Sequence, residues 1–437
     1  MPAPVPGGAL AECAPGEGRA VTVGERETRA LELTTMGCRW RLDVGDLDPD
    51  HAQAMATRWQ RCADLAADPD ALVLDEERIG VRVFVGAAPE DLAPGTVRAG
   101  AATVDRVPYA LSREITRTGL MRLRGRATLL HAAALADPDG RTLVLVAPSG
   151  GGKSTASRVL GARLGYVSDE SVVLLEDGRI APHPKPPSLI IDPQDRWHKE
   201  EPGPDELGLG PTPASPRLAA LLTLRRDEDC PEPVIEEVGL IDQVLAVLPE
   251  TSSTWWLEDG LDRLARAVTA GGPPARLRYA EVDTCHELVR EHLARAASVA
   301  PTWEHLPAKG ADRLPLDAAP EPTGTPGSTD TDDSTAAAKV AIEDHVRLVR
   351  APWSDAIACD GEVLVLAGGR PLRLAGAGAV IWRAATTPLD LDELTQRVVE
   401  EFGEHPQAAD LVRAAAAELV AHGVLAPHPS RDYRVAR

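Results

Sequence analysis

The stretch VLVAPSGGGKSTASRVL, residues 144–160, carries three signals in a row. An apolar run ends at Ala147, a glycine-rich turn follows, and Lys153 and Ser154 open a helical pattern. A strand, a Gly-rich turn and a helix in that order form the context of a phosphate-binding loop. Glycines let backbone N–H groups turn inward onto anionic oxygens, and the helix N-terminus adds the positive end of its dipole. The expected nucleotide contacts are Ser149, Gly150, Gly151, Gly152, Lys153, Ser154 and Thr155. Lys153 is expected to reach the β- and γ-phosphates of ATP, and the Ser154 hydroxyl to ligate Mg²⁺. The motif's first glycine is Ala147 here, a mild change if the local φ is negative, and Pro148 removes one N–H donor. The bland alternative is a glycine-rich turn that binds nothing.

On either side the chain alternates strand and helix signals. ATLLHAAALA (127–136) is an apolar strand leading into the turn DPDG, and a helix is expected over 154–164. A short apolar strand then ends in GYVSDESVVL (165–174), placing Asp169 and Glu170 15 and 16 residues after Ser154. Carboxylates there suit Mg²⁺ binding or acceptance of a hydroxyl proton, against a solvated acidic turn as the alternative. His131 lies one strand from the loop and is expected either to hold Asp169 in place or to be a satisfied core residue. Lys185, in HPHPKPPSL, reads as a solvated surface lysine, with an extra phosphate contact as the alternative. Further signals predict a strand over 216–225 and helices over 51–66, 261–270 and 287–296.

Composition narrows the function classes. Of 437 residues, 67 are Asp or Glu and 46 Lys or Arg, a formal charge of −21. With no Lys/Arg run to form a basic patch, nucleic acid is an unsuitable partner. Six cysteines form no C-x-x-C pair or zinc spacing and read as reduced thiols. No signal peptide or apolar run of membrane-spanning length is visible, so a cytoplasmic location is expected.

Residues 301–340 are dominated by Pro, Gly, Ser, Thr and Asp and read as a disordered linker. Beyond it, residues 341–430 predict three strands then three helices. EVLVLA and RPLRLA, joined by Gly368 and Gly369, read as a hairpin. Asp390 is placed as an N-cap and Gly423 as a C-terminal helix stop. A winged-helix DNA reader has similar content, but the helix LVRAAAAELVAHG offers one Arg and no basic face.

LLHAAALADPDGRTLVLVAPSGGGKST with GYVSDESVVL resembles the HPr kinase/phosphorylase family, and more closely the HPr-kinase-related proteins of peptide-modification gene clusters, over about residues 120–295. The resemblance implies a catalytic-site role for His131 and Lys153, a hydroxyl-activating role for Asp169, and metal binding by Ser154, Asp169 and Glu170. Glu170 stands where the family has a second Asp, and the family's Glu-x-Arg-Gly-x-Gly segment is absent, which argues against HPr as substrate and against phosphorylase activity. The segment 341–427 resembles PqqD-like peptide-recognition domains, the RiPP recognition elements. That likeness implies capture of a leader peptide as an added strand beside the last helix, with Leu364, Leu366, Leu372, Leu374, Leu411, Ala415 and Leu419 as contacts.

The expected fold is thus an α/β phosphate-loop core of HPr kinase/PEP carboxykinase type (121–300), with a winged-helix-like α+β domain of three strands and three helices at 341–430. An α+β region of unknown role precedes them at 1–120. The expected function is ATP- and Mg²⁺-dependent phosphorylation of a Ser or Thr in a ribosomally made precursor, captured by its leader, with the linker raising the effective concentration of the peptide. The alternative is a non-catalytic adaptor that delivers the precursor to other modifying enzymes. A carboxykinase of central metabolism has a related core but no use for a peptide-binding appendage.

Overall fold

A computed structural model describes residues 29–90, 92–190, 199–252, 254–308, 342, 345–367 and 369–428. Its central element is a six-stranded mixed sheet in the order Val234–Glu237, Ala275–Tyr279, Arg217–Arg226, Arg141–Val146, Ala132–Ala136, Gly165–Ser168. The strand before the glycine-rich loop is parallel to Arg217–Arg226, and that strand is parallel to Ala275–Tyr279. Strands covered on both faces read as unbroken apolar runs, which accounts for RTLVLV and AAALA. Val144 and Val146 point to one face, covered by helices Leu240–Val247 and Gly260–Val268. Leu143 and Leu145 point to the other, covered by Lys153–Gly161 and His286–Arg295. Leu261, Leu264, Ala265 and Val268 keep the spacing of one helical face and are all buried on the sheet.

The N-terminal region folds as a four-stranded sheet, Ala30–Thr35, Cys38–Asp43, Asp75–Val85 and Val97–Ala101, with helices Pro49–Arg58, Gln60–Ala67 and Val107–Leu123. The single helix expected over 51–66 is two, broken at Trp59, whose φ of −95° and ψ of 11° leave the helical range. Trp59 is fully buried in the core that also holds Trp40. This core also takes in Leu129, Val173 and Ala181, so the N-terminal region is continuous with the body that carries the glycine-rich loop. Of the six cysteines, the five at 38, 62, 230, 285 and 359 are free and buried, and Cys13 lies outside the described residues.

In the C-terminal module, strands Asp355–Cys359, Glu362–Ala367 and Arg370–Leu374 form an antiparallel meander, followed by helices Gly376–Ala384, Leu391–Phe402 and Ala408–Ala421. Asp390 and Glu393 form a reciprocal capping box, and Gly423 takes φ 72° just past the last helix. Two features depart from the sequence expectation. A strand outside that sheet, Leu348–Arg350, pairs with Leu425–Pro427. A fourth strand, Glu304–His305, joins Asp355–Cys359 from within the segment read as linker.

That segment is ordered at its start. Trp303 is buried and its indole N–H donates to Asp262 Oδ1 at 2.8 Å, while Leu306 N donates to Ala356 O at 2.8 Å. Residues 309–341, the rest of the expected linker, lie outside the described residues. The module is docked rather than free. Val363 and Val365 face its own helices, whereas Ile357, Cys359, Leu364 and Leu366 face Leu240–Val247 and Gly260–Val268. Asp355, fully buried, accepts from Leu261 N at 2.8 Å and from His305 Nε2 at 2.7 Å, and Arg373 donates to Asp242 at 2.6 Å.

Candidate functional site

Ala132–Ala136 lies between Arg141–Val146 and Gly165–Ser168 and is antiparallel to both. Those two strands therefore end at the same edge of the sheet, where Ala132 pairs with Val146 and Ala134 with Ser168. Three segments far apart in sequence meet there: His131, the 147–152 turn, and Asp169 with Glu170. Ala132 N donates to Glu170 O at 3.0 Å and ties two of them together.

The turn has the geometry its glycines suggest. Gly152, at φ 94°, caps helix Lys153–Gly161 in a conformation that a side chain strains. A Cβ on Gly151 would stand 2.8 Å from Ala147 Cβ and 2.9 Å from Pro148 O, so only glycine fits. Among described non-glycine residues only Met36 and Asp360 have positive φ, so Ala147 in the motif's first position carries no such strain. Ser149, Gly150, Ser154 and Thr155 are exposed, with Gly151 and Gly152 half-buried and Lys153 buried. The Lys153 ammonium lies against the carbonyls of Ala147 and Pro148, and 3.6 Å from Glu250 Oε2. Burial lowers its proton affinity below the usual lysine value, with Glu250 opposing that shift.

Asp169 is buried at 7% exposure. One carboxylate oxygen accepts from Tyr166 Oη at 2.9 Å and lies 3.1 Å from Lys185 Nζ. Lys185 is not the solvated residue its proline-rich surroundings suggest: it is fully buried, and it is paired with Asp169. Its Nζ also lies 3.4 Å from Glu170 Oε2 and donates to Pro186 O at 3.2 Å. Burial opposes its charge, but Asp169, Glu170 and Glu201 outweigh that and hold the ammonium well above the usual lysine range. Glu170, 45% exposed at its side chain, feels desolvation, yet Lys185 and His131 bring it below the usual carboxylate value.

His131 does not hold Asp169. Its Nδ1 lies 3.0 Å from Glu250 Oε2, and its backbone N donates to Glu250 O at 2.7 Å. The cause is topological, because Ser252 N donates to Leu129 O and aligns the turn Leu248–Glu250 with the chain entering the site. Asp169 has Tyr166 and Lys185 instead.

Beneath Lys185 the network continues into the N-terminal region. Glu201, 3% exposed, accepts from Ser112 Oγ at 2.6 Å and from Ser188 Oγ. Burial pushes its carboxyl up to about 7. His183, fully buried, lies 2.7 Å from Thr35 Oγ1 and 3.0 Å from Thr116 Oγ1, and burial pushes its imidazole down to about 3. The region of unknown role thus supplies Ser112 to Glu201, and Thr35 and Thr116 to His183, two buried groups that feel the charge of Lys185.

Sequence reasoning missed Tyr166, Glu201 and Glu250, and placed Lys185 in solvent. Tyr166 stands three residues before Asp169 in a strand of alternating direction, a weak local signal. Glu201 and Glu250 carry no spacing signal, since both arrive by tertiary folding.

The seven residues proposed for peptide contact do not form one surface. Leu364 and Leu366 are fully buried against helices Leu240–Val247 and Gly260–Val268, because the sheet is covered on both faces. Leu374 and Leu419 belong to the module's own core, with Leu372 and Ala415 partly buried beside it. Leu411 is 54% exposed. Arg370–Leu374 is the last strand in its sheet, while Glu304–His305 occupies the opposite edge.

No protein-family model matches the chain, and no curated protein does. Among the described residues no helix is long and apolar enough to cross a membrane. Among them, too, no group of three or more His, Cys, Asp or Glu is arranged to hold a metal. Mg²⁺ at a phosphate loop needs only one or two protein ligands beside the phosphates. Ser154, exposed at the helix start, and the half-exposed Glu170 suit that lesser demand; Asp169 is already engaged by Tyr166 and Lys185.

Proposed function

We propose that the chain is an ATP-dependent kinase of a ribosomally made precursor peptide, related to the HPr kinases and carrying a PqqD-like recognition module. The observation behind this reading is the meeting of the glycine-rich loop, Lys153 and the Asp169–Glu170 pair at one sheet edge. The loop's N–H groups and Lys153 bind the phosphates. Ser154 and Glu170 would hold Mg²⁺, which would neutralise part of the phosphate charge. Asp169, fixed by Tyr166 and Lys185, keeps free lone pairs to accept the proton of a Ser or Thr hydroxyl. The leader adds a strand to the open edge Arg370–Leu374, with main-chain hydrogen bonds supplying affinity. With Leu364 and Leu366 withdrawn into the domain contact, the pockets that read leader side chains are sought around Leu372 and Leu411.

The test is incubation of the full chain with its cognate precursor and γ-labelled ATP. Label is expected on a Ser or Thr, and Asp169→Asn is expected to reduce transfer on the order of 10²-fold or more. Absence of transfer in a demonstrated leader complex sinks the kinase reading. One observation favours a second reading, a recognition adaptor with an idle phosphate loop: Lys153 is already engaged by two carbonyls and Glu250. Lys153→Ala separates the two. An adaptor retains its support of precursor modification by partner enzymes, and a kinase loses it.

A further inference from the structure

Glu250 has a place in the candidate site that neither motif nor resemblance assigns. It ends the turn Leu248–Glu250, directly after helix Leu240–Val247. Its backbone is stitched to the site, with His131 N donating to its carbonyl at 2.7 Å and the next residues bridging Leu129 and Leu130. Its side chain, 10% exposed, turns one oxygen toward two cationic or potentially cationic groups: Lys153 Nζ at 3.6 Å and His131 Nδ1 at 3.0 Å. A carboxylate this desolvated needs partners, and these two supply them. Desolvation opposes its ionisation, while His131 and Lys153 bring it below the usual carboxylate value. It is therefore a negative charge at the atom a phosphate loop reserves for phosphate.

We infer that Glu250 is a nucleotide-site residue that occupies Lys153 in the empty site, must give it up to the incoming phosphates, and thereby biases the site toward metal-complexed over metal-free nucleotide. The inference rests on nucleotide binding at the loop. Lys153 is buried and cannot be left without a counter-charge at small cost. Glu250 provides that counter-charge when no ligand is present. On binding, Lys153 exchanges Glu250 for phosphate oxygen, and Glu250 keeps His131. The displaced carboxylate then repels the ligand, and the repulsion grows with the ligand's negative charge. Mg²⁺ neutralises part of the polyphosphate charge, so metal-free ATP is penalised more than its magnesium complex. Glu170, close enough to Lys153 to influence its charge, adds to the same discrimination.

The experiment is calorimetric titration of ATP into the full chain, once in excess Mg²⁺ and once in EDTA, for wild type, Glu250→Gln and Lys153→Ala. Glu250→Gln is expected to tighten metal-free ATP on the order of tenfold and the magnesium complex by roughly threefold, narrowing the preference. Lys153→Ala is expected to lose binding in both conditions. Circular dichroism melts report whether Glu250→Gln folds. If it does not, Glu250→Asp, which keeps the charge on a shorter arm, is expected to show a smaller gain of the same sign. Weaker or unchanged binding of the magnesium complex by the folded variant overturns the inference while leaving nucleotide binding standing. Absence of ATP binding by wild type removes the nucleotide reading, and the inference with it.

Discussion

Lys185 shows how far a residue's surroundings in sequence can mislead. Its neighbours are prolines and histidines, a pattern of exposed loop, yet it is fully buried because Asp169 and Glu170, folded in from a separate turn, supply its counter-charge. Breaking a buried pair from one side leaves the other side's charge uncompensated. Lys185→Met is thus expected to destabilise the body by about 3–5 kcal/mol in urea unfolding. A loss within error of zero would place Lys185 in solvent after all. Glu201 gives a pH signature. Its carboxyl is pushed up from 4.5 to about 7 by burial, so the folded state holds its proton more tightly than the unfolded state does. Its contribution to stability is complete below pH 4.5 and is lost as pH rises through about 7. Glu201→Gln, which keeps an oxygen for one serine and offers an NH2 that the other hydroxyl can accept, is expected to remove a pH dependence on the order of 3 kcal/mol between pH 5 and 8. Parallel melting curves for wild type and variant across that range would refute the assignment.

At the scale of elements, local chemistry was legible wherever a helix or strand is specified by its own residues. The cap at Asp390, the stop at Gly423 and the glycine-rich turn all have the geometry their residue types imply. Asp390 receives Glu393 N at 2.9 Å and Glu393 receives Asp390 N at 2.9 Å. Asp390→Ala leaves Glu393 N without its acceptor and is expected to cost about 1 kcal/mol, read as a lowered melting temperature of the module. What was not legible depends on partners distant in sequence. Glu304–His305 is two residues long, too short for a periodic signal, and becomes a strand only because Asp355–Cys359 offers an edge. The pairing of His131 with Glu250 spans a 119-residue separation that no spacing rule reaches.

The arrangement of the whole molecule changes what the linker can do. EVLVLA was readable as a strand, but an unbroken apolar run does not say what covers its second face. Here that face is covered by Leu240–Val247 and Gly260–Val268, and the first of these helices leads directly into Glu250. The C-terminal module is therefore built onto the helix that leads into Glu250, instead of roaming at the end of a tether. A docked module sharing a core should unfold with its body in one cooperative transition. Leu366→Asp places an unpaired charge in that shared core, at a cost of several kcal/mol, while Val363 and Val365 still hold the strand to the module's own helices. Scanning calorimetry is expected to give a single transition for wild type and two for Leu366→Asp, with a larger radius of gyration for the variant in solution scattering. Two separate transitions in the wild type would instead mean that the body and the module fold as independent units, and the effective-concentration argument for a free tether would then apply again.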